Sequence, residues 1–144
     1  MGRFWEMLPK IAVAAVVLGG VALVISKMSD GAGEPGKVPV TVPALSAQGQ
    51  KGQVAFTANC AACHGENGSG TLKGPPLIHD TYNPGHHPDG SIFNAIRKGV
   101  QSHHWSYGNM PAQRQVTKST AADIIGFIRE LQKANGITYR EHRM

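Results

Sequence analysis

The chain has two cysteines, and both fall in one five-residue string, Cys60-Ala61-Ala62-Cys63-His64. On a helix these side chains stand at i, i+3 and i+4, so two thiols and an imidazole share one face. With two cysteines and seven histidines in 144 residues, chance would produce this arrangement about once in 3,000. The pair is not spaced as a disulfide framework. Any fold for this chain has to be built around that face.

Size sharpens the constraint. The first forty-odd residues differ in composition from the rest, which leaves a folding unit of about a hundred, a size at which apolar area is scarce. With 6% aromatic residues and 18 glycines, such a unit gains much from a large apolar cofactor at its centre. Each thiol of the string can add to a vinyl group of haem, while the adjacent imidazole coordinates iron. A thioredoxin-like dithiol would call for a preceding strand in a βαβ setting, and no strand pattern is visible. A zinc site would need two more ligands in a compact knuckle, which the other histidines do not form. The expected cofactor is therefore one haem c, attached through Cys60 and Cys63 and ligated by His64.

Ile11 to Ile25 form an unbroken run of apolar and small residues between Lys10 and Lys27. Fifteen residues give about 22 Å of helix against a hydrocarbon core of about 30 Å. Extension from Trp5 to Met28, with both lysines snorkelling, makes up the difference. A cleaved signal peptide is the competing reading, because Val24 and Ser26 suit a small-residue cleavage site. The run is at the long end for that reading, and Lys27 follows the site directly. Residues 1–28 are expected to form a single-pass anchor. Arg3 and Lys10 would put the N-terminus on the cytoplasmic side of a bacterial inner membrane and the domain in the periplasm. Residues 29–46, SDGAGEPGKVPVTVPALS, read as an exposed Gly/Pro linker that would let the domain swing.

The domain is expected over 47–136 and a frayed tail over 137–144, with no internal repeat. Three helices are expected. The first, Ala47 to Asn59, delivers the cysteines. The second, with Asp89 as its cap, places Ile92, Phe93, Ile96 and Val100 on one side and stops near Gly99. The third carries Thr120 and Asp123 at capping-box spacing, then Ile124, Phe127, Ile128 and Leu131, and stops at Asn135-Gly136.

From about Gly49 to Ala134 the chain resembles the class I cytochrome c family. Gly52 and Phe56 precede Cys60 by eight and four residues, as in that family's first helix, where the glycine lets the last helix cross closely. Gly74-Pro75-Pro76-Leu77 resembles the family's Gly-Pro-x-Leu turn. That likeness implies that the Pro75 carbonyl holds the proximal imidazole and that Leu77 packs on the porphyrin. Gly108-Asn109-Met110-Pro111 resembles the loop that presents an axial methionine, and Met110 lies 46 residues after His64. The resemblance thus implies an all-α class I cytochrome c domain, preceded here by one transmembrane helix, with His64 and Met110 as axial ligands. A thioether ligand favours ferrous iron and raises the potential.

Trp105 and Tyr107 are expected to wall the pocket, their polar tips reaching a propionate or a backbone carbonyl. His86, His87, His103 and His104 have no assigned role. Bis-histidine ligation, copper binding and solvated surface positions all fit them. From Leu45 onward there are ten Lys and Arg against six Asp and Glu, a surplus suited to an acidic docking face or a solvated surface. The basic and aromatic interleaving of a nucleic-acid binder is missing. The expected function is one-electron transfer between respiratory or photosynthetic membrane complexes, by a carrier and not an enzyme. Two alternatives stand beside it: a subunit of a stable oxidoreductase complex, or a catalytic or sensor haem protein with an open distal position.

Overall fold

The computed structural model describes residues 16–17, 19–21 and 36–141. The chain divides into two units, Met1–Glu34 and Pro35–Met144. In the first, the described residues are helical. Among the described residues no helix is long and apolar enough to cross a membrane, and most of the expected anchor lies outside them.

The second unit is helical, with no strand among the described residues beyond an isolated bridge between Val100 and Met110. Its helices are α1 (Ala47–Asn59), α2 (Ala61–His64), α3 (Asp89–Lys98) and α4 (Lys118–Ala134), with short 3-10 turns at Glu66–Gly68 and Asp80–Tyr82. The Ser46 hydroxyl caps α1 by accepting from the Gly49 N–H at 3.0 Å, which satisfies one of the unpaired donors of a helix start. Gly49, Gly52 and Phe56 form its buried face. That face lies on α4, where Phe56 and Phe127 meet with ring centroids 5.5 Å apart. A Cβ at Gly52 would stand 2.0 Å from the Asp123 carbonyl oxygen and 2.7 Å from the Phe127 Cβ. Only glycine permits this crossing.

Helix α4 supplies most of the core: Ala121, Ile124, Ile125, Phe127, Ile128 and Leu131 are all buried. Its cap is Thr117, which accepts from the Thr120 N–H at 3.2 Å, so the expected capping box at Thr120 and Asp123 lies one turn too late. Tertiary packing selects between the two threonines. With Thr117 as cap, Val116 and Ala121, both in the buried cluster, fall at the two positions of a hydrophobic staple. Asp89 is likewise not the cap of α3 but its first residue, after Pro88, and its carboxylate accepts from Arg129 Nε at 2.7 Å. The helix ends where Gly99 takes φ 78°.

Two segments expected to be loose are packed. Residues 36–46, the described part of the expected linker, run along the domain. Val38, Val40 and Leu45 lie against the core, and Val38 N–H donates to the Ser69 carbonyl at 2.8 Å. The Thr41 backbone pairs in both directions with the Asn135 side chain, at 2.8 Å each way. At the other end, Ile137 is buried and Arg140 binds Asp80 at 2.9 Å. In both places alternating or isolated apolar residues find burial that the local composition did not reveal.

Candidate functional site

Helix α1 breaks at Cys60, whose φ of −123° departs from helical geometry, and α2 restarts at once. The Cys60 carbonyl accepts from both the Cys63 N–H (3.1 Å) and the His64 N–H (2.9 Å). The five-residue string therefore forms a compact turn at the end of a helix that is fixed to the core by Phe56. His64 is buried. Its Nδ1 stands 2.9 Å from the Pro75 carbonyl oxygen. A carbonyl only accepts, so the ring donates Nδ1–H, and Nε2 keeps its lone pair. Burial lowers the His64 pKa below its ordinary value, and the bond to Pro75 only partly offsets this. The imidazole is thus neutral at neutral pH, the form that ligates metals.

The segment carrying Pro75 is tied back to the same string and to the 3-10 turn that follows it. The Gly70 N–H donates to the His64 carbonyl at 2.6 Å, the Leu77 N–H to the Gly68 carbonyl at 2.8 Å, and the Thr71 hydroxyl to the Cys63 carbonyl. Cys60 is partly buried and Cys63 exposed, both as free thiols. Burial, with a smaller contribution from Cys63, pushes the Cys60 thiol up to about 11. Dithiol redox sites show the opposite shift, because their chemistry needs a thiolate.

A cavity of about 620 Å³ opens beside His64, within the range of about 300–1,000 Å³ typical of small-molecule and cofactor sites. Ile92 and Ile96 of α3 and Ile124 and Ile128 of α4 line it, so the apolar side of α3 faces this space. Of the residues expected at the site, Cys60, His64, Pro75, Leu77, Trp105, Tyr107 and Met110 all line it. Cys63 opens instead on a smaller adjoining space that it shares with Cys60, His64, Tyr107 and Met110. Reciprocal bonds between the Val100 and Met110 backbones, 2.9 Å each, close the loop that carries Met110.

The Trp105 Nε1–H is buried without an acceptor in hydrogen-bonding geometry. It does not reach a backbone carbonyl. It lies close enough to Tyr82 to offset part of the rise that burial imposes on that phenol's pKa.

Two residues escaped the sequence reading. Gln132 is fully buried and lines the cavity. Its Nε2 donates to the carbonyls of Leu77 (3.0 Å) and Tyr82 (3.1 Å). Arg129 donates to the Tyr82 carbonyl at 3.0 Å, to Gln132 Oε1 at 2.6 Å, and to the His87 carbonyl. Together they fasten the segment between the Pro75 turn and α3 onto α4. The available signal was Gln132 itself, a polar residue four positions after Ile128 on an otherwise apolar stripe.

The family model for cytochrome c matches residues 49–132, more than half of the chain, and the chain belongs to the cytochrome c family. No curated protein matches it significantly. The family implies haem c, and the residues present suit that group. The cavity is apolar-lined, a neutral imidazole offers Nε2, two thiols stand at the attachment spacing, and a buried indole N–H awaits an acceptor such as a carboxylate.

Proposed function

We propose that this chain carries out the haem-based electron transfer of its family as a one-electron carrier whose haem c is bound through Cys60 and Cys63, with His64 and Met110 as axial ligands. The observation that carries this reading is that His64, with Nδ1 committed to Pro75, and Met110 line one cavity. When bound, haem supplies a one-electron iron couple. The chain's part is to hold and insulate it. Pro75 orients the imidazole and raises its basicity. Ile92, Ile96, Ile124 and Ile128 exclude water. Met110 would fill the sixth position of the bound iron, which would leave no site for a substrate. The Trp105 N–H and Tyr107, which line the same cavity, would hold a propionate.

The N-terminal run is proposed to anchor the domain in a bacterial inner membrane on its periplasmic side, with acidic redox partners docking on the positive surface. Exposed Lys98 and Lys73 stand at the margins of the large and small cavities, respectively, which suits that docking mode.

The test is carbon monoxide added to the reduced, haem-loaded protein. A carrier with both axial positions filled leaves its visible spectrum unchanged. A prompt shift would mean an open distal position, and a catalytic or sensing role in place of this one. Cys60→Ala combined with Cys63→Ala should make the haem extractable by acidic organic solvent and leave the domain largely unfolded. A folded apoprotein would contradict the covalent reading.

A further inference from the structure

Four histidines meet where the segment before α3 faces the loop before Met110. His86 Nε2 lies 3.1 Å from His104 Nε2. One ring nitrogen from each of His86, His87 and His104 lies within 4.8 Å of the others. His103 stands beside them, its ring centroid 4.3 Å from that of His104. His87 Nδ1 is 2.7 Å from the Thr81 carbonyl and His103 Nδ1 is 2.9 Å from the Gln101 carbonyl. Both rings must therefore donate Nδ1–H and keep an Nε2 lone pair. Metal-bound histidines are oriented in this way by backbone carbonyls.

All four rings line the margin of the cavity assigned to the haem, and we propose that His86, His87 and His104 form a second metal site there, distinct from the axial positions of the iron, for one divalent ion of the class that imidazole favours, Zn²⁺ or Cu²⁺. With metal–nitrogen bonds of about 2.0–2.1 Å, two imidazole nitrogens on one ion stand about 2.9–3.4 Å apart. The His86–His104 separation already meets that requirement. Two neutral rings can also share a single proton across such a gap. That alternative leaves the third ring and the two carbonyl-fixed tautomers unexplained. His104 is exposed, so its side chain can make the closing movement, and His103 or water completes the coordination. The ion would clip the His86-His87 segment, already held on α4 by Arg129, to the loop leading into Met110.

The experiment uses the haem-loaded protein, prepared without a polyhistidine tag. Zn²⁺ is titrated by calorimetry, and Cu²⁺ is added for electron paramagnetic resonance. The expected result is one ion per chain, a Cu²⁺ spectrum with nitrogen superhyperfine structure, and an unchanged haem spectrum. Loss of one outer-shell partner typically weakens a metal site by about 10–100-fold. His104→Ala, a change at an exposed position, should weaken Zn²⁺ binding by more than that, and so should His86→Ala. Wild-type affinity in either variant overturns the proposal, as does a stoichiometry near zero in the native chain. A change in the axial-ligand spectrum of the His104→Ala protein would do so too, since the histidine would then serve the iron.

Discussion

The Nδ1–H of His64 donates to the carbonyl oxygen of Pro75 across 2.9 Å, joining two residues that are 11 positions apart in the chain. Proline aims that oxygen, because its ring fixes φ and limits the turn. Pro75→Gly keeps the oxygen and frees the backbone that points it. Stability should fall by about 0.4–1 kcal/mol through the freer unfolded chain. The reduction potential should rise, because a less firmly held imidazole is less basic and supports ferric iron less well. Redox titration of the variant checks this. An unchanged or lower potential would separate the Pro75 bond from iron chemistry.

Gly52 is the contact on which the helix crossing rests. The first atom that a methyl group at Gly52 would meet is backbone, the Asp123 carbonyl oxygen at 2.0 Å, so α4 would have to move as a body. Gly52→Ala should cost at least the about 1–3 kcal/mol of ordinary overpacking. Denaturant titration of the haem-loaded protein measures it. A loss under about 0.5 kcal/mol, the scale of an ordinary surface substitution, would mean that the helices are not in close contact there.

What the sequence revealed was local, and what it hid was long-range. Ala47–Asn59 was legible because the Gly52 and Phe56 spacing and the Cys-x-x-Cys-His string all lie within one stretch. The stop at Gly99 was legible from one residue type. The cap at Thr117 was not, since choosing it over Thr120 depends on where Val116 is buried. Nor was the docking of residues 36–46, which relies on Ser46 meeting Glu130 from 84 positions away and on Thr41 meeting Asn135. At the site, the string named Cys60, Cys63 and His64 without help. Gln132 and Arg129 act through backbone carbonyls of other segments, and no spacing rule points to those.

The Ser46–Glu130 contact also makes a pH prediction. Glu130 accepts from the Ser46 hydroxyl at 2.6 Å and from its N–H at 2.9 Å. These bonds, the hydroxyl first, hold the carboxyl below its ordinary value of 4.5. A depressed carboxylate pKa contributes stability that is present above the unfolded-state value and lost as pH falls through the folded-state value. The stability gap between wild type and Glu130→Gln should therefore be constant from neutrality to about pH 5 and close below about pH 4. The group is exposed, so the gap should be small and reduced by salt. Unfolding curves at several pH values test this, and a gap that widens in acid would reverse the assignment.

Met110 is the residue on which the carrier reading turns, and the ferric protein's near-infrared spectrum tests it most directly. Methionine sulfur on low-spin haem iron gives a weak charge-transfer band in that region, as the resemblance to class I cytochromes implies. The wild type should show the band. Met110→Ala should lose it and bind carbon monoxide readily when reduced. Met110→His should stay six-coordinate without the band, at a lower potential, because nitrogen favours ferric iron relative to a thioether. A wild type without the band, with a spectrum and potential indifferent to Met110→Ala, would contradict the account and hand the sixth position to His103 or His104.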